Sequence, residues 1–436
     1  MAATNDETGS TQSVHDELPA STSPQDVEND KENASNEFGE AQDGGARAWL
    51  VAFGASCIFF CALGYANSFG VFQEYYLSHQ LQHRSADDVA WVGSLAAFLQ
   101  FAAGSIGGPL FDRFGAIVIH ISSVLYVFAI MMISLCTEYW HFMLAQGVLL
   151  GTAMGFLQFP AMAAVAQYFE KKKATALGVS FAGSSIGGIV FPIMLSKMLN
   201  DSHLGFGWSV RIAGFVMIPF LAFSCLVVKA RLPPRLGTLW ILDAWKNPTY
   251  VLLIVAFFFS LLGMYTPLFF IPTYAVTQGM DAEMASYLAA ILNAASTFGR
   301  VIPGILADKF GKINVFAIGG ISTGVVSFCL TEASSTAALI IYSIAIGFTS
   351  GTIISGGAAA ITVCFDDARE SGTYLGMALA TSSIAGLIGP PISGAFLHTY
   401  GDFFEASMFN GAMCLAGGFL AIGMKATTPK GVFGRV

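Results

Sequence analysis

Charge is what this sequence has least of. Asp, Glu, Lys and Arg make up 11% of its 436 residues, while 55% are hydrophobic. Soluble domains carry roughly 25% charged residues. So few charges cannot cover a water-facing surface, so an ordinary soluble protein is excluded and lipid is the expected solvent. Catalytic motifs are also missing. There is no phosphate loop, no HExxH and no GxSxG, and the seven histidines are scattered. The chain is therefore read as a non-enzyme that needs no cofactor. The seven cysteines (Cys57, Cys61, Cys136, Cys225, Cys329, Cys364 and Cys414) lie in or beside apolar runs, with no CxxC spacing. They are expected to be small buried hydrophobes, with no metal site. No basic stripe invites nucleic acid. No basic n-region precedes a short apolar core, so no cleaved signal peptide is expected, and the first span would act as signal anchor.

Glycine, by contrast, is abundant, with 47 residues, and small residues let membrane helices approach closely. The net charge of −8 is unevenly placed. Between Met1 and Asp43 there are 11 acids and one base, Lys31, giving −10; the remainder is −8 − (−10) = +2. Residues 1–44 are polar and aperiodic, and are expected to be a disordered acidic cytosolic tail.

Apolar runs near ~20 residues mark membrane helices. Twelve are expected: Ala48–Phe72, Val89–Phe111, Ile117–Cys136, Phe142–Tyr168, Ala174–Leu195, Val210–Val228, Tyr250–Tyr274, Ala285–Leu306, Val315–Leu330, Ala337–Cys364, Thr373–Leu397 and Phe404–Met424. If both termini are cytoplasmic, sixteen of the 20 Lys and Arg fall on the inner side. Only Arg84 and Lys197 fall outside, while Arg211 and Arg300 lie within or near spans. That bias sets the orientation. The expected organisation is a six-helix bundle over 45–229, a cytosolic linker over 230–247, a second six-helix bundle over 248–425 and a short tail over 426–436.

Two loops repeat. Gly108-Pro-Leu-Phe-Asp-Arg-Phe-Gly115 closes the second span and Gly304-Ile-Leu-Ala-Asp-Lys-Phe-Gly311 the eighth. Ser184-Ser185-Ile186-Gly187-Gly188 with Pro192 in span five matches Ser382-Ser383-Ile384-Ala385-Gly386 with Pro390 in span eleven, and Leu177-Gly178 matches Leu375-Gly376. Recurrence at nearly one offset indicates two parallel halves. The repeated loop resembles the signature of the major facilitator superfamily. That resemblance implies an all-α fold of twelve helices in two bundles, with alternating access around a central cavity. Asp112 and Asp308 can accept backbone or basic partners at a helix end, with Arg113 and Lys309 at the headgroups. These four residues are the candidate gate; the alternative is that they serve turn and topology only.

Further stretches resemble the monocarboxylate transporter-like family, especially its fungal branch. They are Asp43-Gly44-Gly45, the Tyr168-Phe169-Glu170-Lys171-Lys172-Lys173-Ala174 loop, Asn293 to Arg300 of span eight, and Leu387-Ile388-Gly389-Pro390-Pro391-Ile392. The likeness runs from Asp43 to about Lys425. Two charged positions of the proton-coupled animal members are replaced. Aligning on Val71-Phe72 puts Asn67 where they have a lysine, and Ser296 stands where they have an aspartate; Arg300 is kept. Proton–lactate symport therefore does not carry over.

The main reading is a secondary transporter of a small organic solute, a monocarboxylate or related metabolite. The alternative is a carrier of riboflavin or of a secondary metabolite, acting as facilitator or exporter. A non-transporting receptor on the same scaffold is a third reading. Arg300 is the sharpest candidate, because a charge within a membrane helix is expensive and marks function. It lies roughly 12 Å along the helix from Asp308. Asn293, Ser296 and Arg300 share an i, i+3, i+7 stripe that would bind an anion or an electron-rich ring. Asn67, Tyr65, Gln158, Phe159 and Tyr265 are further candidates for contact with solute, each equally able to serve helix packing. Protons are a candidate partner, yet Glu74 is the only carboxylate near a plausible pathway. Arg211 is read as an interface anchor and His120 as a packed polar residue. Asn200-Asp201-Ser202 is a glycosylation sequon in an outer loop, and a second, at Asn33, sits in the cytosolic tail. The plasma membrane is the expected location, with an internal membrane as the alternative.

Overall fold

The protein's structure, a computed structural model, describes residues 43–427 apart from 201, 235–239 and 366, and apart from the side chains of 86, 87, 265, 266, 269, 282, 283, 286 and 427. Residues 1–42 of the acidic tail, the sequon at Asn33, the end of the C-terminal tail and the Tyr265 side chain therefore lie outside the described residues, while Asp43 and Gly44 of the expected tail are ordered ahead of α1.

All regular structure among the described residues is helical. The first half of the chain gives α1 (Gly45–Ala66), α2 (Phe69–Ser78), α3 (Ala86–Ala102), α4 (Gly104–Phe114), α5 (Ile117–Ile133), α6 (Tyr139–Phe142), α7 (Gly151–Tyr168), α8 (Lys173–Asn200) and α9 (Gly205–Val227). The second gives α10 (Pro248–Thr277), α11 (Ala282–Phe310), α12 (Lys312–Phe328), α13 (Thr336–Ile361), α14 (Ser371–Tyr400) and α15 (Phe404–Met424). Among the described residues, ten helical segments are long and apolar enough to cross a membrane. Two shorter apolar helices, Ile117–Ile133 and Pro248–Met264, stand at the places of the third and seventh expected runs.

Several expected runs are not continuous helices. The first, expected over Ala48–Phe72, falls in the helical segment Gly45–Ser78, which is interrupted at Asn67 and Ser68 between α1 and α2. The second is interrupted at Ala103 between α3 and α4. The fourth contains a π-helical stretch, Met143–Leu150, between α6 and α7. Such departures cluster at functional sites, because they free backbone groups and re-aim side chains. Local chemistry sets several helix starts. Ser85 and Asp88 form a capping box at α3, Asn247 caps α10 ahead of Pro248, and Ser335 caps α13. The last glycine of each repeated loop, Gly115 and Gly311, takes φ of 64° and 99°. A side chain is strained there, which explains why both copies end in glycine.

The two halves of the chain meet along two seams. In one, α8 packs on α11 and touches α13; in the other, α14 packs on α3, α4 and α7. Glycines bring the backbones together. A β-carbon on Gly178 would overlap the Arg300 carbonyl oxygen, and one on Gly376 would overlap that of Gly104. Gly304 stands against the Ala174 carbonyl and Gly108 against that of Gly372 in the same paired way. The contacts of one seam thus reappear in the other at the spacing of the sequence repeat.

Candidate functional site

The repeated loops place their aspartates at the starts of helices from the opposite half. Asp112 is 4% exposed. Its Oδ1 accepts from the Gly372 amide at 3.1 Å, and its Oδ2 from the Thr373 amide at 2.7 Å and hydroxyl at 2.8 Å. Asp308 repeats the arrangement on α8. Its Oδ1 accepts from the Ala174 amide at 3.0 Å, and its Oδ2 from the Thr175 amide at 2.8 Å and hydroxyl at 2.6 Å. A helix start offers unpaired amides and a positive dipole end, so a carboxylate is the fitting partner. The basic members of the four-residue gate lie elsewhere. Arg113 is exposed over the Phe114 ring at 5.6 Å, and Lys309 is exposed. Thr175 and Thr373 were not singled out in the sequence. The signal was available, because Thr-x-Leu-Gly occurs at both places within the repeat.

Next to the Asp308 contacts, Asp43 binds the loop before α8. Its Oδ1 accepts from the amides of Glu170, Lys171 and Lys172 at 2.7, 2.6 and 3.3 Å. The Asp-Gly-Gly stretch and the Phe-Glu-Lys loop, far apart in sequence, are thus one structural unit. Arg231, where the linker leaves α9, donates its Nε–H to the Gln167 carbonyl at 2.6 Å. Burial holds its guanidinium below its ordinary range, while Tyr168 and Glu170 act the other way.

Arg300 is 7% exposed and reaches across the seam. Its Nη1 donates to the Phe181 carbonyl at 2.8 Å and to the Ser184 hydroxyl, both on α8. The expected stripe divides. Ser296 is 2% exposed, and its Oγ faces Gly351 of α13 within its own half. Asn293 faces α8 instead. A β-carbon on Gly188 would meet Asn67 Nδ2 at 2.6 Å and Asn293 Oδ1 at 3.1 Å. Gly188 therefore lets an amide from the break in the first span and one from α11 converge. Asn67 is exposed and Asn293 half-buried.

The other candidates are packed. At the repeat position of Arg300 the first half has Gly104, where the Phe159 ring would collide with any side chain. Phe159 is 1% exposed and fills that space. Gln158 accepts from Gln100 Nε2 at 3.2 Å, while its own Nε2 is buried without a protein partner. The Tyr65 hydroxyl is likewise buried without one, on a ring that meets Phe72 and Phe191 edge-on. Such groups are uncommon and each is costly, by about 1–3 kcal/mol, unless something hydrates or binds it. Arg211 donates to Ser134 Oγ at 3.0 Å, and His120 contacts the Cys225 carbonyl at 2.9 Å. Asn200 is exposed at the end of α8. Most cysteines are buried or half-buried, but Cys329 is exposed, contrary to expectation. Among the described residues no cluster of His, Cys, Asp and Glu could hold a metal ion. An apolar groove between α10 and α15, lined by Leu252, Phe259, Phe419 and Leu420, stands apart from these polar groups.

A helical membrane protein with a twofold-repeated aspartate at a helix start matches a known family. The profile of the Major Facilitator Superfamily matches residues 54–330 and 253–432. The aspyridones efflux protein apdF of Emericella nidulans is 48% identical over 389 residues, covering 89% of this chain and 80% of that protein. The agnestins efflux protein AgnL12 of Paecilomyces divaricatus is 37% identical, covering 93% and 94%. The fujikurins efflux protein of Gibberella fujikuroi is 35% identical, covering 88% and 83%. Among solved structures, the human organic anion transporter MFSD10 (TETRAN) superposes with a TM-score of 0.70 at 12% identity, over 87% of this chain and all of that one. FucP in its outward conformation superposes with a TM-score of 0.69 at 15% identity, over 87% and 99%. These two likenesses concern the fold alone. The chain belongs to the Major Facilitator Superfamily. It is a multi-pass integral membrane transporter with fungal efflux proteins among its relatives.

Proposed function

We propose that this transporter exports an amphipathic organic metabolite by alternating access. The observation that carries the reading is the 48% likeness, over most of both chains, to a protein named for efflux of aspyridones. This favours the secondary-metabolite alternative over the monocarboxylate reading. The geometry supports it too. Arg300, the group best suited to a carboxylate, is engaged by α8, whereas the exposed and half-buried groups near it are the neutral amides Asn67 and Asn293. In this reading the body comprises twelve spans in two six-helix bundles. Both termini and the latch are cytoplasmic, in the plasma membrane. Asp112 and Asp308 hold the cytoplasmic face closed, and their release opens it to load solute.

The test is export from a yeast host. Cells are loaded with fungal aromatic metabolites or with labelled monocarboxylates and followed with and without an imposed proton gradient. The expected result is faster loss of one or more metabolites, abolished in Asp112→Ala and weakened in Asn293→Ala. Gradient-driven carboxylate movement that disappears in Arg300→Ala would restore the monocarboxylate reading.

A further inference from the structure

The linker between the halves holds a tryptophan against a span. Trp240 Nε1 donates to the Ser105 carbonyl of α4 at 2.8 Å. The residue four places on from Ser105 is Pro109, inside α4. Proline has no amide hydrogen, so the Ser105 carbonyl lacks its ordinary helical donor. The indole N–H fills that role. Ser105 lies nine residues before the end of α4, roughly 13 Å along the helix from Phe114. Its neighbour Ile106 is 47% exposed on the outer surface of the span. The linker therefore places Trp240, itself 50% exposed, beside a lipid-facing surface rather than out in water.

The next residues continue the pattern. Leu242–Lys246 is a single 3₁₀ turn. In such a turn residues i and i+3 share a side. Leu242 (71% exposed) and Trp245 (38% exposed) form one ridge, while Asp243 and Lys246 form another, paired at 2.7 Å. An apolar ridge of tryptophan and leucine beside a charged one is the composition of segments that lie in the headgroup–acyl boundary. The strap also reaches the far side of the first latch. The Trp245 ring meets Tyr250 edge-on at 5.8 Å, and the Tyr250 hydroxyl donates to the Tyr374 carbonyl at 2.8 Å. Tyr374 follows Thr373, the partner of Asp112.

We propose that Trp240–Lys246 is a membrane-docked strap. Leu242 and Trp245 enter the bilayer interface, the Trp240 ring reaches inward from it along α4, and the Trp240–Ser105 bond ties that anchored segment to α4. The partner is the phospholipid leaflet. This inference rests on membrane insertion and not on the exported solute.

The test uses full-length protein in phosphatidylcholine vesicles whose acyl chains are brominated near the headgroup or near the chain end. The fluorescence lost on Trp240→Phe and Trp245→Phe reports each tryptophan. Both should be quenched more by the bromines than by aqueous iodide, Trp245 most by the shallow ones and Trp240 more than Trp245 by the deep ones. Quenching by iodide alone overturns the proposal, and so does protection from both quenchers that depends on protein density, because a second copy would then be the cover. Leu242→Asp alters an exposed side chain and spares the fold; it should lower the shallow quenching of Trp245, and unchanged quenching counts against docking. Trp240→Phe keeps a ring but removes the donor. Amide hydrogen exchange at residues 372–374 should then quicken about fivefold, the loss of one ordinary hydrogen bond. Unchanged exchange there overturns the tie.

Discussion

Replacing Asp112 by asparagine keeps the side chain's size and removes its charge. In the latched arrangement Oδ2 accepts two bonds from Thr373 and Oδ1 one from the Gly372 amide. An amide has one acceptor oxygen. If it serves Thr373, its NH2 group faces the Gly372 N–H, donor against donor, and one charge-assisted bond worth about 1.5–3 kcal/mol is lost. The two remaining bonds fall to roughly half their strength as the charge goes. The attraction to the start of α14 goes with it, about 0.3–2 kcal/mol. The group is 4% exposed, so water replaces little of this. Only the difference between latched and open states counts, since an open Asp112 is hydrated. Together these effects come to about 3 kcal/mol, which shifts the latched-to-open ratio roughly 100-fold.

The assay is distance measurement by pulsed electron resonance between spin labels at Phe114→Cys and Phe310→Cys. Both sites are 55% exposed, at the equivalent ends of α4 and α11, one in each half. Exposed Cys329 is replaced by serine in the background. Wild type should give one short distance, and Asp112→Asn should add a longer one. Asp308→Asn should do the same more weakly, because Asp308 is only half-buried. The double variant should approach the sum, as the two latches share no partner. A folded Asp112→Asn protein with an unchanged distribution would refute the latch.

Gly108→Ala forces a β-carbon into the Gly372 carbonyl and should pry the same face apart, while Gly70→Ala, with open space around it, should leave the distances unchanged. Asp43→Ala removes the acceptor of three amides before α8; it should lower stability by about 1–2 kcal/mol and speed tryptic cleavage at Lys171 and Lys172. Asn200, exposed at the α8 end remote from the latch, should carry glycan in a eukaryotic host, seen as a mobility shift that glycosidase and Asn200→Gln both abolish. Absence of the shift in a correctly inserted protein argues against that end facing outward.

The helical class, the paired loops and the position of Asp112 and Asp308 at helix ends were legible in the sequence. Hydropathy, glycine content and repetition are properties of neighbouring residues, and a chain in lipid must bond its backbone locally. The glycines at 115 and 311 follow from the same local logic, since a turn with positive φ requires them. The partners were not legible, because they are chosen by packing. Asp112 meets residues 260 and 261 places away, and Arg300 meets Phe181 and Ser184 at 119 and 116. The i, i+3, i+7 rule groups Asn293, Ser296 and Arg300 on α11. It could not say that two different helices, α8 and α13, would divide that stripe between them. Phe159 looked like a ligand group because it is aromatic and sits in the fourth span. Only the fold reveals that it fills the space that Arg300's counterpart, Gly104, leaves open. Trp240 reads in sequence as an ordinary linker residue, and its meaning comes from a proline 131 positions earlier. The sequence by itself thus determined the helices, their solvent and the repeat, through interactions that reach one or two turns. The tertiary structure decided which carbonyl, amide or ring each polar side chain would meet, because those choices depend on where distant backbones can approach.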